Sequence, residues 1–364
     1  MENKNIIIRL LQESDIDQIN SFHNRIYNDD RTINKFTWEF SDAPAGTAIY
    51  VVAEDEDNKK IVGTQCAIPI YLRRVNGETI LSAKSEDTLV DPEYRGMQIF
   101  EKMYDFLFEQ CRKQNMNYIW GFTSALKPFL KIGFEIPFSH SQSLMVLNIN
   151  TSYRYLSKLN PKNSKFDKIK IYSLAILSKL VYIKTALQIP ELKNIKVVQS
   201  DKVVSNINGL LNSYATVNND LFFINQDNQY INWRINSNPY TNKVLSVDFF
   251  ENNKLIANVI FNHHKDGVWY LIQVLLDQNI AEKIKGKIIM VALKILIKKE
   301  RPALIRTWNF DTNEISRLEI KLFRGTGLIY LSKGVHFVWK DLEGKGHLKP
   351  QNFFLSRIAT QGVI

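Results

Sequence analysis

Four consecutive residues, Arg95-Gly96-Met97-Gln98, stand between an apolar run that ends at Val90 and an amphipathic stretch that begins at Ile99. Pro92 stops the run, Glu93 and Tyr94 fill a turn, and Gly96 allows backbone that other residues resist, so the segment reads as a strand passing through a tight turn into a helix. The first amides of a helix have no acceptor inside it and aim their partial positive charge outward. Beside the Arg95 guanidinium they make a place for an anion, a phosphate above all.

Such a cradle needs rigid elements to hold it. Ile99, Met103 and Leu107 fall on one helical stripe flanked by Phe100, Tyr104, Phe108 and Cys111, as a helix packed on a sheet requires. Upstream, residues 6 to 11 read as a strand, and Ser14 with Asp17 marks a helix start for the stripe Ile16, Ile19, Phe22 and Ile26. A second short helix follows over 32 to 40. Strands are expected over 48 to 54 and 61 to 72, then a hairpin through Asn76-Gly77 leads to the strand ending at Val90. Past the long helix, residues 118 to 123 read as a strand, 125 to 132 as a short helix before Gly133-Phe134, and 134 to 150 as the close of the domain.

The run VDPEYRGMQIFEKM, followed by YIWGFTSALKPFLKIGFE, resembles the acyl-CoA-binding core of the GCN5-related N-acetyltransferase (GNAT) superfamily. That core is a strand, an Arg/Gln-x-x-Gly-x-Gly/Ala turn and helix, another strand, and a short helix ending in Gly-Phe. The resemblance implies acetyl-CoA as co-substrate, and with no His-Glu-x-x-His or Cys-x-x-Cys in the sequence no metal is expected. It places the CoA pyrophosphate on Arg95, Gly96, Met97, Gln98, Ile99 and Phe100, and pantetheine along the backbone of Leu89 and Val90. Ser124 stands where relatives often have an Asn that bonds pantetheine. Gln98 and Phe100 depart from the small residues usual there, although a Phe also occurs in relatives reading Arg-Gly-x-Gly-Ile-Phe.

Acetyl transfer to an amine needs a neutral amine, a polarised carbonyl and a proton for the leaving thiolate. Glu86 and Asp87, in the strand upstream, are the candidate bases. Strict alternation would put them on opposite faces, so only one would line a cleft, and the Asp-Thr pair of relatives favours Asp87. Phe129 stands where many relatives carry the Tyr that protonates the thiolate. Tyr118 and His140 are alternative donors, and a thiolate can also leave through water.

The second half repeats the order of the first. Trp38 precedes Pro44 as Trp233 precedes Pro239; KIVGTQ from Lys60 is answered by KLIANV from Lys254, and Gly133-Phe134 by Gly327-Leu328. QNIAEKIKGK has no Arg-Gly turn, so the second copy carries no phosphate cradle. The expected fold is therefore α+β, two tandem acetyltransferase-type mixed-sheet domains, the second degenerate. Residues 1–150 would form the N-terminal domain with the acyl-CoA site, 151–200 a connecting helical segment, and 201–364 the C-terminal domain. The stretch 168–190, apolar and dotted with lysines, reads as a connecting helix packed between domains or as an interfacial helix in peripheral contact with a membrane.

At 364 residues, 45% hydrophobic and 12% aromatic, the chain is long enough for two globular domains. Cys66 and Cys111 both lie in apolar patterns and suggest a reducing compartment, and the polar start shows no secretory pattern, so a cytoplasmic protein without a transmembrane segment is expected. The net charge of +10 comes from lysines spread along the chain, so nucleic acid is not the expected partner. The reading is an acyl-CoA-dependent N-acetyltransferase acting on a primary amine of a small molecule held between the halves, an amino sugar for example. Alternatives are a tRNA-dependent aminoacyltransferase of the peptidoglycan-bridge type and a non-catalytic module binding CoA or a partner.

Overall fold

The computed structural model describes residues 4–159, 165–188, 192, 194–204, 206–331 and 334–360. The chain opens with β1 (Ile6–Leu10), α1 (Ile16–Tyr27) and α2 (Ile33–Phe40), then a meander of β2 (Ile49–Asp55), β3 (Lys60–Arg74) and β4 (Thr79–Val90). α3 (Ile99–Lys113), β5 (Tyr118–Thr123), α4 (Leu126–Lys131), β6 (Glu135–Ser139) and β7 (Ser141–Val146) follow. Next come α5 (Ile149–Leu159), α6 (Lys165–Gln188), β8 (Ile195–Ser200), α7 (Asn208–Leu211), β9 (Phe222–Ile224) and α8 (Asn228–Ile231). β10 (Lys243–Glu251), β11 (Lys254–His263), β12 (Val268–Leu276), α9 (Glu282–Glu300), β13 (Leu304–Asn309), α10 (Glu314–Gly325), β14 (Ile329–Leu331) and β15 (His336–Asp341) complete it. The polar flanks LNPKNSKFD (159–167) and PELKN (190–194), which read as linkers in the sequence, lie largely outside the described residues.

Two compact units emerge, and neither is one continuous stretch. The first comprises 1–73, 78–138 and 335–350, and the second 74–77, 139–334 and 351–364. In the first, the sheet runs β1-β2-β3-β4-β5-β15-β6; in the second it runs β14-β7-β13-β12-β11-β10-β8. β15 thus joins the first sheet from the second half of the chain, and β7 joins the second sheet from the first half. This departs from the continuous domains expected from the sequence, where 134 to 150 was to close the first and β15 would have stayed in the last. Only His140 separates β6 from β7, and one residue cannot make the two-residue turn that would fold β7 back as a hairpin. β7 instead pairs antiparallel with both β13 and β14.

In the first unit α3 lies on the sheet through Ile99, Met103, Leu107 and Cys111, which share a core with Val51, Ala53, Ile119 and Val338. The approach is close at Gly63, where an added Cβ would come within 3.1 Å of both Ile99 Cγ2 and Met103 Sδ. In the second unit α9 packs in the same way through Ile288, Ile289, Ala292, Leu293 and Leu296 against Val259, Leu271 and Ile305.

The repeat read from the sequence has matching local detail. Lys60 Nζ lies 3.1 Å from Asp91, and Lys254 Nζ 2.7 Å from Asp277, each aspartate following the central strand of its unit. Gly133 and Gly327 both take left-handed backbone after a short helix, with φ of 79° and 93°. Among the described residues, no helix is long and apolar enough to cross a membrane.

β15 gives a direct test of this arrangement. Trp339 is fully buried and stacks on Tyr118 of β5, ring centroids 5.0 Å apart. Trp339→Ala should cost about 3–5 kcal/mol and strip hydrogen-exchange protection from β5, although the residue lies far along the chain from the rest of that unit. Unchanged protection in β5 would contradict the pairing.

Candidate acyl-CoA site

The ladder between β4 and β5 is parallel and short. It joins Ser82, Ala83 and Lys84 to Tyr118, Ile119 and Trp120, and stops there, while β4 runs on to Val90 and β5 to Thr123. At the next position the strands still touch, for a Cβ on Gly121 would sit 2.9 Å from the Ser85 carbonyl oxygen. Past that point the edge of β4 that faced β5, through Leu89 and Val90, has no strand partner from β5. Unpaired edge amides and carbonyls can bind an extended ligand as a further strand would.

A β-bulge lies within this free stretch. Thr64 pairs with Leu89 and Cys66 with Glu86, so Gln65 alone opposes Asp87 and Thr88. Asp87 takes left-handed backbone at φ 51°, and Thr64 Oγ1 donates to its carbonyl at 2.8 Å. The extra residue breaks the alternation expected for this strand. Glu86 and Asp87 therefore lie together on the side of α1 and α2, where both act on Glu39, whereas Ser85 and Thr88 turn to the Tyr104 hydroxyl of α3. The inference that the two carboxylates occupy opposite faces is corrected by this bulge.

The two differ in surroundings. Asp87 is 3% exposed and is held by His23 Nδ1 at 2.9 Å, by Arg31 Nη1 at 2.8 Å and by the Tyr50 hydroxyl. Burial alone would push its carboxyl up, but the His23 hydrogen bond, the Arg31 charge and the Tyr50 hydroxyl outweigh it and hold it down at about 2. Glu86 is 27% exposed and pairs with Lys84. Behind them, burial and the charges of Glu86 and Asp87 push Glu39 of α2 up to about 7. His23, Arg31, Tyr50 and Glu39 were not singled out from the sequence. They lie 37 or more residues from Asp87 along the chain, and only the buried-side pattern of α1 and α2 hinted at them.

The turn into α3 is anchored from beneath. Asp91 is buried, accepts from the Glu93 amide at 3.1 Å, and pairs with Arg25 at 2.8 Å as well as with Lys60. The Tyr94 hydroxyl donates to Asp55 at 2.6 Å. Arg95, Gly96 and Gln98 are exposed, Met97 and Phe100 are half-buried, and Ile99 is in the core. Gly96 has φ 88° and Gln98, at the start of α3, has φ 59° and ψ 25° with no side-chain cap on the helix. These two positive-φ residues bring the chain round to the start of α3, whose first amides have no acceptor inside the helix. Ser124 is exposed at the end of β5.

Phe129, at the position of the family's tyrosine, is buried against Phe100, Tyr104 and Phe134. Tyr118 lies at the paired end of β5 and accepts from the Leu348 amide at 3.2 Å, away from the parting. His140 belongs to the second unit, buried and stacked on Trp308 at 3.6 Å. Tyr118, one of the two candidate donors, is thus not placed beside the parted strands. In the second unit the corresponding β12–β13 ladder also has three pairs, but Thr307 Oγ1 bridges to the Leu271 carbonyl at 2.9 Å just beyond it. The loop from Asp277 to Ala281 has no left-handed residue, unlike the turn before α3.

Gln98 has a measurable signature. A non-glycine residue at φ 59° is strained, so Gln98→Gly should stabilise the protein by up to about 1 kcal/mol, seen as a higher Tm, and preserve or tighten CoA binding. Loss of binding by a folded Gln98→Gly protein would make the glutamine side chain itself a ligand group.

Residues 7–136 match the family model described as an acetyltransferase (GNAT) domain. Among solved structures, a GCN5-related N-acetyltransferase from Anabaena variabilis superposes with a TM-score of 0.60 at 10% identity, over 93% of this chain and 73% of its own. A tandem GNAT protein from the clavulanic acid biosynthesis pathway gives 0.57 at 11% identity, over 93% and 99%. Saccharomyces cerevisiae N-myristoyltransferase with bound myristoyl-CoA gives 0.57 at 11% identity, over 94% and 85%. No curated protein matches the chain in sequence. Residues 7–136 are thus similar to a GNAT domain, and the chain as a whole carries the tandem GNAT fold.

Proposed function

We propose that the chain transfers an acyl group, acetyl by default, from CoA to the primary amine of a small molecule, with amino sugars the first class to try. The observation that carries this reading is the parting of β4 from β5 beside the uncapped start of α3. Arg95 and the amides from Gly96 to Phe100 hold the pyrophosphate, and the free edge at Leu89 and Val90 receives pantetheine, with Ser124 at its mouth. The similarity to a myristoyltransferase keeps the acyl length open to test.

CoA supplies the activated thioester. Backbone amides of β4 polarise its carbonyl, the acceptor nitrogen attacks the carbonyl carbon, and the carbon–sulfur bond breaks as the amide bond forms. The acceptor attacks as the neutral amine, and the one proton its nitrogen sheds as the amide forms goes to Glu86, directly or through a water. This assignment moves the base from Asp87, because a carboxyl held at about 2 and bonded on three sides takes up a proton poorly at neutral pH. Asp87 instead fixes His23, Arg31 and the bulge. With Phe129 in place of a tyrosine, the thiolate leaves unprotonated or takes its proton from water.

Thiol release from acetyl-CoA and longer acyl-CoAs, measured against a panel of amines, tests the activity; no release with any amine would overturn it. Glu86→Gln should lower kcat about a hundredfold in a folded protein. Asp87→Asn should cost about 3–5 kcal/mol of stability, since it leaves the buried Arg31 without its countercharge. A normal rate in Glu86→Gln with a stable but inactive Asp87→Asn would return the base to Asp87.

A further inference from the structure

α6 is fixed to the second unit by one face only. Ile171, Ala175 and Ser178 are buried, Thr185 Oγ1 donates to the Gly325 carbonyl at 2.8 Å, and Lys294 Nζ donates to the Ala186 carbonyl at 3.0 Å. Gly327 lets the chain come close, for a Cβ there would lie 2.8 Å from the Ser178 carbonyl oxygen. The opposite face is also apolar. Ile169, Tyr172, Ile176, Leu180, Ile183 and Leu187 are between 43% and 83% exposed.

At 100° per residue these six fall within an arc of about 80°, a straight ridge about 27 Å long. Lys168 and Lys179 border it on one side and Lys184 on the other. α5, which packs on α6, adds exposed Arg154 and has no acidic residue. Large apolar side chains in water are unfavourable, and a long ridge of them marks a surface that meets something. Lysines on both margins suit lipid, because their stems lie along the apolar surface while the ammonium groups reach anionic headgroups. A second copy of the chain would set lysine against lysine, and the one acidic residue of α6 is Asp167, in its first turn.

We infer that the exposed ridge of α6 docks the protein on an anionic lipid surface, lying in the plane of the interface without spanning it. This goes beyond the proposed chemistry and does not depend on it.

Co-sedimentation of the full chain with vesicles of phosphatidylcholine alone, and with one part in three phosphatidylglycerol, tests the inference. The protein should bind the anionic vesicles at least about tenfold more tightly than the neutral ones. Ile176→Asp/Leu180→Asp should weaken that binding at least about tenfold with circular dichroism and Tm unchanged, since both sites are exposed. Lys168→Glu/Lys179→Glu/Lys184→Glu should do the same and serves if the first variant does not fold. Failure to bind anionic vesicles, equal binding by the variants, or a dimer that the ridge substitutions split without any vesicle binding would each overturn it.

Discussion

The buried carboxylate of Asp87 is the constraint on which the first unit's site depends. A charge out of water persists only if countercharge and hydrogen bonds meet it, and here they come from His23 of α1, Arg31 ahead of α2 and Tyr50 of β2. Satisfying them requires Asp87 to leave the regular strand, which it does through left-handed backbone and a bulge. Bulges bend a strand and raise its twist, and this one lies where β4 and β5 separate. One ion pair thus ties the two amphipathic helices to the sheet, turns Glu86 toward the same side, and accompanies the free edge along Leu89 and Val90.

Duplication explains what the second unit keeps and what it lacks. The lysine that pins the aspartate after the central strand, the parallel three-pair ladder and the glycine closing the short helix recur in both. These are the parts that hold a helix on a sheet. The parts that would hold a phosphate do not recur: the left-handed turn is absent, and Thr307 Oγ1 bonds across to the Leu271 carbonyl just beyond the ladder. Fold and site are separable layers of the same sequence.

Much of the scaffold was legible because it is periodic. Tyr118–Thr123 was delimited to the residue, and the stripe through Ile99, Met103 and Leu107 packs as its spacing required. Local competition shifted the first helix, where Gln12 and Asp15 cap each other in place of Ser14 and Asp17. The pairing of β7 and β15 was not legible, because strand order depends on contacts between segments far apart in the chain and the only local clue was a one-residue link at His140. The bulge at Asp87 was hidden for a related reason. An alternating pattern is assumed until something interrupts it, and here the interruption comes from Arg31 and Tyr50, distant partners that no local spacing reveals.

The central claim is that one turn, Arg95 to Phe100 at the head of α3, binds acyl-CoA. Isothermal titration of the full chain with acetyl-CoA tests it most directly, read together with the Arg95→Glu variant. The account predicts one site per chain and at least about a tenfold weaker Kd in Arg95→Glu, a loss of about 1.4 kcal/mol. Two sites per chain, no binding, or an affinity indifferent to Arg95 would contradict it.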